Sequence, residues 1–265
     1  MKYDLLVIGG GPAGLTAAIY ARVRNKTVLV LSNQPTASPL CKAEIIDNYP
    51  GLPHVSGLVL VEHLLEQARE LGAEFMTVRV TNLIPMGAGV MAAVGTDVAE
   101  GTSAILCTGV ARATPLTGEE RLLGRGVSYC ATCDGMLYRG KSVAVAGDAP
   151  DWEAEAAWLE SIGCQVTKVR LAGLQILGKD RVTGVRTAAG IQVPCEGVFL
   201  LRASVAPAQM VPGLKLEGSY IKTDPHMATN LPGIYAAGDC TGLPLQLAKA
   251  VGQGQMAAYW ALNRE

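Results

Sequence analysis

A six-residue loop, Gly9-Gly10-Gly11-Pro12-Ala13-Gly14, constrains this chain more than any other feature. It follows an apolar run at residues 5–8 that reads as a strand, and it opens an alanine-rich segment that reads as a helix to about Arg24. A second apolar run at 27–31 completes a βαβ start within about 30 residues. Each glycine has its own use: Gly9 permits the tight turn, Gly11 lets the backbone reach a pyrophosphate, and Gly14 lets the helix pack on the strand. Pro12 and Ala13 begin the helix, whose free N–H groups and positive dipole end favour phosphate. Such a motif is weak alone and strong here, because it follows a strand and opens a helix. Ser32 ends the second strand, where an acidic residue would usually bind a ribose hydroxyl, and is a candidate contact.

At 265 residues the chain has room for one large or two modest domains. Gly contributes 31 residues and aromatics 5%, a balance that favours close backbone approach to a ligand over an aromatic-filled core. Charged residues are 17% and the net charge is -1, which excludes a disordered class and a strongly basic nucleic-acid surface. No apolar run approaches the roughly 18 residues of a membrane helix, and Met1-Lys2-Tyr3-Asp4 leads straight into a strand. The expectation is a soluble, cytoplasmic protein without a signal peptide.

Three further segments read as parts of the first nucleotide site. Asp47-Asn48-Tyr49-Pro50-Gly51 is a polar turn, and a buried strand ends in Thr108-Gly109. Near the C-terminus a short apolar strand ends in Gly238-Asp239, and Gln246-Leu247 opens a helix that runs to about Asn263. Asp239 could hold ligand hydroxyls, and the helix start could stabilise negative charge on a reduced flavin ring.

Residues 141–146, 150–162 and 165–170 read as a second βαβ, but with a loop unsuited to nucleotide. Gly147-Asp148-Ala149-Pro150-Asp151-Trp152 keeps one glycine of three and puts Trp152 where close packing needs a small residue. Asp148, Asp151, Glu153 and Glu155 crowd the helix start, where they favour the helix dipole and repel a pyrophosphate. After Arg170 there is no arginine pair for a 2'-phosphate, and room for a further helix and strand is missing.

Cys130-Ala131-Thr132-Cys133-Asp134-Gly135 is the sharpest local signal. Two cysteines separated by two residues can close a strained, reducible disulfide, and such thiols often have lowered pKa values. The other cysteines are scattered and the histidines (His54, His63, His226) supply no second ligand pair, so neither a secreted disulfide framework nor a metal site is expected. Asp134 is an ordinary turn residue by itself; beside a dithiol it is a candidate proton donor to the leaving thiolate. Cys107 and Cys240 adjoin candidate site residues but lack pairing spacing and read as buried small hydrophobes.

In this order the motifs resemble the low-molecular-weight thioredoxin reductases over nearly the whole chain. The resemblance implies an α/β protein of two Rossmann-like domains. Its FAD domain, 1–112 and 217–265, is split by a shortened, degenerate pyridine-nucleotide-type domain, 113–216, carrying the dithiol. It implies FAD contacts at Gly9, Gly11, Pro12, Ala13, Gly14, Asn48, Thr108, Gly109, Gly238, Asp239, Gln246 and Leu247. Pro244-Leu245-Gln246-Leu247 stands where that family has Tyr-Arg-Gln-Ala, and the pyridine-nucleotide fingerprint is lost. In those respects, and over 133–141 and 248–252, the chain resembles the ferredoxin-dependent flavin thioredoxin reductases. No NADPH site is then expected; ferredoxin is the implied donor, thioredoxin the implied acceptor and a homodimer the implied assembly. By the same resemblance Cys133 faces the flavin, Cys130 attacks the thioredoxin disulfide and Asp134 handles the proton. Arg112, Arg121, Arg125, Arg139, Lys141 and Lys249 are candidates for docking an acidic donor, against the plainer reading of a solvated surface. Three alternatives stay open: a flavin-dependent dithiol oxidase using O2, an NADPH-dependent reductase with an altered loop, and a flavin-bound redox sensor.

Overall fold

The computed structural model describes residues 2–33, 38–95, 97–110, 115–129, 131–149, 152–202 and 206–264, with the side chains of all but Pro39 and Cys133. The chain forms two compact units, Met1–Ala111 with Ala206–Glu265, and Arg112–Val205.

The first unit opens with β1 (Lys2–Ile8), α1 (Pro12–Val23) and β2 (Val28–Ser32), the βαβ start that the loop predicts. It continues through α2 (Gly57–Glu70), β3 (Glu74–Thr77), β4 (Val80–Met86), β5 (Gly89–Val94) and β6 (Asp97–Leu106). Ser56 starts α2 by accepting from the Val59 amide at 3.2 Å, an N-cap that satisfies one otherwise orphaned donor.

The second unit holds α3 (Glu119–Leu122), β7 (Val127–Ser128), α4 (Ala131–Asp134), β8 (Ser142–Gly147), α5 (Trp152–Ser161) and β9 (Gln165–Val169). Three short strands follow, β10 (Gln175–Leu177), β11 (Gly184–Arg186) and β12 (Gln192–Pro194), and then β13 (Gly197–Leu201). The chain returns to the first unit with α6 (Pro207–Met210), β14 (Leu216–Glu217), β15 (Tyr220–Ile221), β16 (Ile234–Ala236) and α7 (Leu247–Leu262). Residues 206–216 therefore pack with the first unit, whereas the expected boundary put them in the insert. Met210 and Val211 are buried there, and Asn230 ties the segment down by bonding Gly213 O and the Lys215 amide at 3.0 and 2.8 Å.

In the first sheet β3, β2, β1 and β6 lie parallel in that order, with β16 also parallel on the far end of β6. The near half of β6 pairs antiparallel with β5, which pairs with β4. Leu5, Val7 and Ile105 alternate onto the face covered by the small residues of α1 and α7. Those helices approach closely because Gly254 has no side chain: a Cβ there would lie 2.2 Å from Ala13 O.

The second sheet is parallel throughout, in the order β7-β13-β8-β9. Val143, Val145, Phe199 and Leu201 pack with Ala156 and Leu159 of α5 and with Ala131, while Ala144, Ala146, Val198 and Leu200 face the other way. That second face is covered by Ile176 and Val185 of the antiparallel β10-β11-β12 meander, together with Leu122 of the short helix α3. Among the described residues no helix is long and apolar enough to cross a membrane.

Candidate functional site

Gly9 and Gly11 between β1 and α1, and Gly14 in the first turn of α1, are used differently. Gly9 has φ +119°, and a Cβ on it would sit 2.2 Å from the Cys107 carbonyl oxygen. A Cβ on Gly14 would stand 1.9 Å from Gly9 O, so this residue sets the closeness of helix and loop. Around Gly11 a Cβ would meet nothing within 4 Å. Gly11 is also the N-cap of α1, with no capping side chain and no acidic residue in the first turn. Helix N–H groups and open space thus coincide at the one glycine expected to face a pyrophosphate.

Other candidate residues gather at the carboxyl ends of the same parallel strands, the edge where open α/β sheets take ligands. Ser32 ends β2, Thr108 and Gly109 follow β6, and Gly238 and Asp239 follow β16. Asn48 and Gln246, 198 residues apart, meet directly: the Asn48 amide donates to Gln246 Oε1 at 3.1 Å. The Asn48 turn is shaped by Asp47, which accepts from the His54 amide at 3.1 Å. Gln246 is the N-cap residue of α7 and Leu247 its first helical residue, again with no acidic side chain in the first turn.

The Gly238-Asp239 turn is held from α7 by a residue that the sequence does not signal. Gln253 Oε1 accepts from the Gly238 amide and from Thr241 Oγ1, each at 2.9 Å. Asp239 Oδ1 is buried without a hydrogen-bond partner. Burial raises the Asp239 pKa, partly offset by Lys249. Lys249 donates to the Gly242 carbonyl. Burial lowers its pKa against the pull of Asp239 and Cys240. Lys249 is half-buried, unlike the exposed basic candidates of the second unit. Burial pushes the Cys240 thiol up to about 11 and that of Cys107 well above its ordinary value. Both are free, buried thiols.

In the second unit Cys130 and the side chain of Cys133 lie outside the described residues; the Cys133 backbone belongs to α4. The surrounding segment is anchored. Ser128 Oγ donates to Asp134 Oδ2 at 2.7 Å, and the Ala131 amide donates to Glu155 Oε2 at 3.1 Å. Beside it lies a buried ion pair. Arg202 makes two parallel bonds to Glu119 at 2.6 and 2.8 Å. The Leu116 amide and the Tyr129 hydroxyl also donate to Glu119, at 2.6 and 3.0 Å. Burial opposes ionisation of Glu119, yet the bonds from Arg202 and Leu116 and the charge of Arg202 outweigh it and hold the carboxyl below its ordinary pKa. Neither Glu119 nor Arg202 belongs to a recognisable motif.

The second loop is closed by its own chain. A Cβ on Gly147 would lie 2.6 Å from Trp152 Cβ and 2.7 Å from Leu201 O. The Asp148 and Ala149 amides both donate to Leu201 O at 3.1 Å, so the N–H groups a phosphate would use are engaged. Glu153 and Glu155 occupy the first turn of α5, while Pro150 and Asp151 lie outside the described residues. Among the other basic candidates Arg112 is outside the described residues, and Arg121, Arg125, Arg139 and Lys141 are exposed. Among the described residues no three or more His, Cys, Asp and Glu cluster as metal ligands.

Residues 3–193 and 172–254 match the family described as pyridine nucleotide-disulphide oxidoreductase. Thioredoxin reductase from Listeria innocua is 31% identical over 96% of this chain and 91% of its own length. Two crystal structures of a ferredoxin-flavin thioredoxin reductase from Clostridium acetobutylicum are 38% and 37% identical, with TM-scores of 0.86 and 0.90. Both alignments cover 99% of this chain, and 96% and 98% of the respective structures. The chain belongs to the pyridine nucleotide-disulphide oxidoreductase family, and within it is an oxidoreductase of the thioredoxin-disulfide reductase type. This membership implies FAD. The first unit fits that group: Gly11 leaves room for a pyrophosphate at a bare helix start, and Asp239 aims an unpartnered buried oxygen at the same sheet edge.

Proposed function

We infer that this protein is a flavin-dependent disulfide reductase that takes electrons from a ferredoxin, without NADPH, and passes them through Cys130 and Cys133 to thioredoxin. The contrast between the two nucleotide loops carries this reading. The first is open at Gly11; the second keeps one glycine of three, has two amides committed to Leu201 O and carries carboxylates in the following helical turn. A pyrophosphate there would have to do without those two amides and compete with negative charge. The 38% identity to the ferredoxin-flavin enzyme of C. acetobutylicum supports the donor.

In this reading Gly9, Gly11, Pro12, Ala13 and Gly14 hold the FAD pyrophosphate. Ser32, Asn48, Thr108, Gly109, Gly238, Asp239, Gln246 and Leu247 contact the rest of the cofactor. Bound FAD supplies the chemistry that joins one-electron delivery to two-electron disulfide reduction. The thiolate of reduced Cys130 attacks the thioredoxin disulfide and expels one thioredoxin thiolate. Cys133 then attacks the mixed disulfide, releases the second thiolate and restores the Cys130–Cys133 disulfide. The two leaving thiolates take up two protons, and in this reading Asp134, which accepts from Ser128, assists.

The test is anaerobic incubation of catalytic enzyme with oxidised thioredoxin and reduced ferredoxin, scored by thioredoxin thiols. Multiple equivalents of thiol per enzyme are expected, with loss of turnover on Cys130→Ser or Cys133→Ser. No thioredoxin thiol, with O2 consumed instead when a small dithiol is supplied aerobically, would replace this reading by the dithiol oxidase.

A further inference from the structure

The carboxyl edge of the second sheet is where this kind of fold holds a dinucleotide. Here three strand ends at that edge are tied together by side chains and backbone of the protein itself. Leu201, at the end of β13, accepts the Asp148 and Ala149 amides that follow β8. The next residue, Arg202, grips Glu119 with both guanidinium nitrogens at 2.6 and 2.8 Å. Glu119 is fully buried, and it receives the hydroxyl of Tyr129 just beyond β7 at 3.0 Å. Tyr129 is bonded covalently to Cys130. On the other side of Cys130, the Ala131 amide donates to Glu155 from the first turn of α5.

We propose that this former nucleotide edge is a two-sided clamp on the dithiol segment, with the Glu119–Arg202 pair and Glu155 as positioning residues for Cys130. The inference rests on the reading of Cys130 and Cys133 as a redox pair. Glu119 fixes the residue before Cys130 through a side-chain hydroxyl, and Glu155 fixes the residue after it through a backbone amide. Ser128 and Asp134 close the same segment across its ends at 2.7 Å. A segment already held at both flanks loses less conformational freedom when a disulfide closes within it, which favours the disulfide over the dithiol. The acidic first turn of α5 thus has a positive use as well as excluding phosphate.

Three variants of the full FAD-loaded chain test this. Glu155→Gln keeps an acceptor oxygen for the Ala131 amide, Glu155→Ala removes it, and Tyr129→Phe removes only the hydroxyl bonded to Glu119. Hydrogen exchange over residues 129–136 is the first readout, and the Cys130–Cys133 equilibrium in dithiothreitol redox buffers, followed by thiol trapping, is the second. Glu155→Ala is expected to speed exchange at Ala131 about tenfold or more and to shift the equilibrium toward the dithiol by a few-fold. Tyr129→Phe should shift it the same way, and Glu155→Gln should restore both readouts to near wild type. Unchanged exchange in Glu155→Ala, or Glu155→Gln as defective as Glu155→Ala, overturns the clamp. A wild-type enzyme whose cysteines do not interconvert in the redox buffers sinks the dithiol reading instead, and exchange alone then judges the clamp.

Discussion

Gly11 and Gly14 lie three residues apart at the start of α1, yet an added methyl group would meet open space at the first and a backbone oxygen at 1.9 Å at the second. Gly11→Ala should cost the apoprotein only about 1 kcal/mol, the usual scale of an N-cap change, while FAD affinity falls steeply because the methyl occupies the ligand's space. Gly14→Ala should destabilise by about 3 kcal/mol by forcing α1 off its strand. Thermal unfolding of the apoproteins together with FAD fluorescence titration separates the two; equal loss of stability in both would refute the assignment of roles. Asp239 belongs to the same scale. Its unpartnered oxygen predicts that Asp239→Asn weakens FAD binding by about tenfold or more, the weight of a hydrogen bond to a charged group, and unchanged affinity would remove Asp239 from the site.

At the scale of elements the Glu119–Arg202 pair joins α3 to the end of β13 across 83 residues of sequence. Removing one partner leaves a buried charge, so Arg202→Leu alone should cost about 3–5 kcal/mol, and the Glu119→Leu/Arg202→Leu pair much less. The Glu119 carboxyl is held below its ordinary value in the folded protein. Its contribution is therefore complete above the unfolded-state value of 4.5 and is lost as pH falls through the folded value. The gap in thermal midpoint between wild type and Glu119→Gln should narrow as pH falls below 4.5; a constant gap would deny Glu119 its ionised role. The β1-α1-β2 unit was legible in the sequence because glycine spacing, apolar runs and helix start lie within one short window. The geometry of the second loop was half legible: Trp152 and the carboxylates marked a departure from a phosphate loop, but not that Leu201 O would take two of its amides. Glu119, Arg202 and Gln253 were not legible, since each works through partners distant in sequence and carries no local pattern. The boundary near residue 206 was missed for the same reason, because Met210 and Val211 find their buried positions only against the first unit.

At the scale of the whole molecule, the proposed electron path runs from a flavin site in one unit to a thiol pair in the other, with a protein partner at each end. Arg121, Arg125, Arg139 and Lys141 are exposed cations on the second unit. If an acidic ferredoxin docks there, its rate of flavin reduction should fall steeply with added salt, whereas reduction by dithionite should show no such dependence. A ferredoxin rate indifferent to salt would remove that docking surface. The proposed donor rests on the difference between a loop open at Gly11 and one whose amides are engaged ahead of an acidic helix start. Anaerobic flavin bleaching should therefore be followed side by side with reduced ferredoxin, NADPH and NADH. Rapid bleaching by ferredoxin and a flavin left yellow by both pyridine nucleotides is the predicted result; bleaching by NADPH fast enough to support turnover would contradict it.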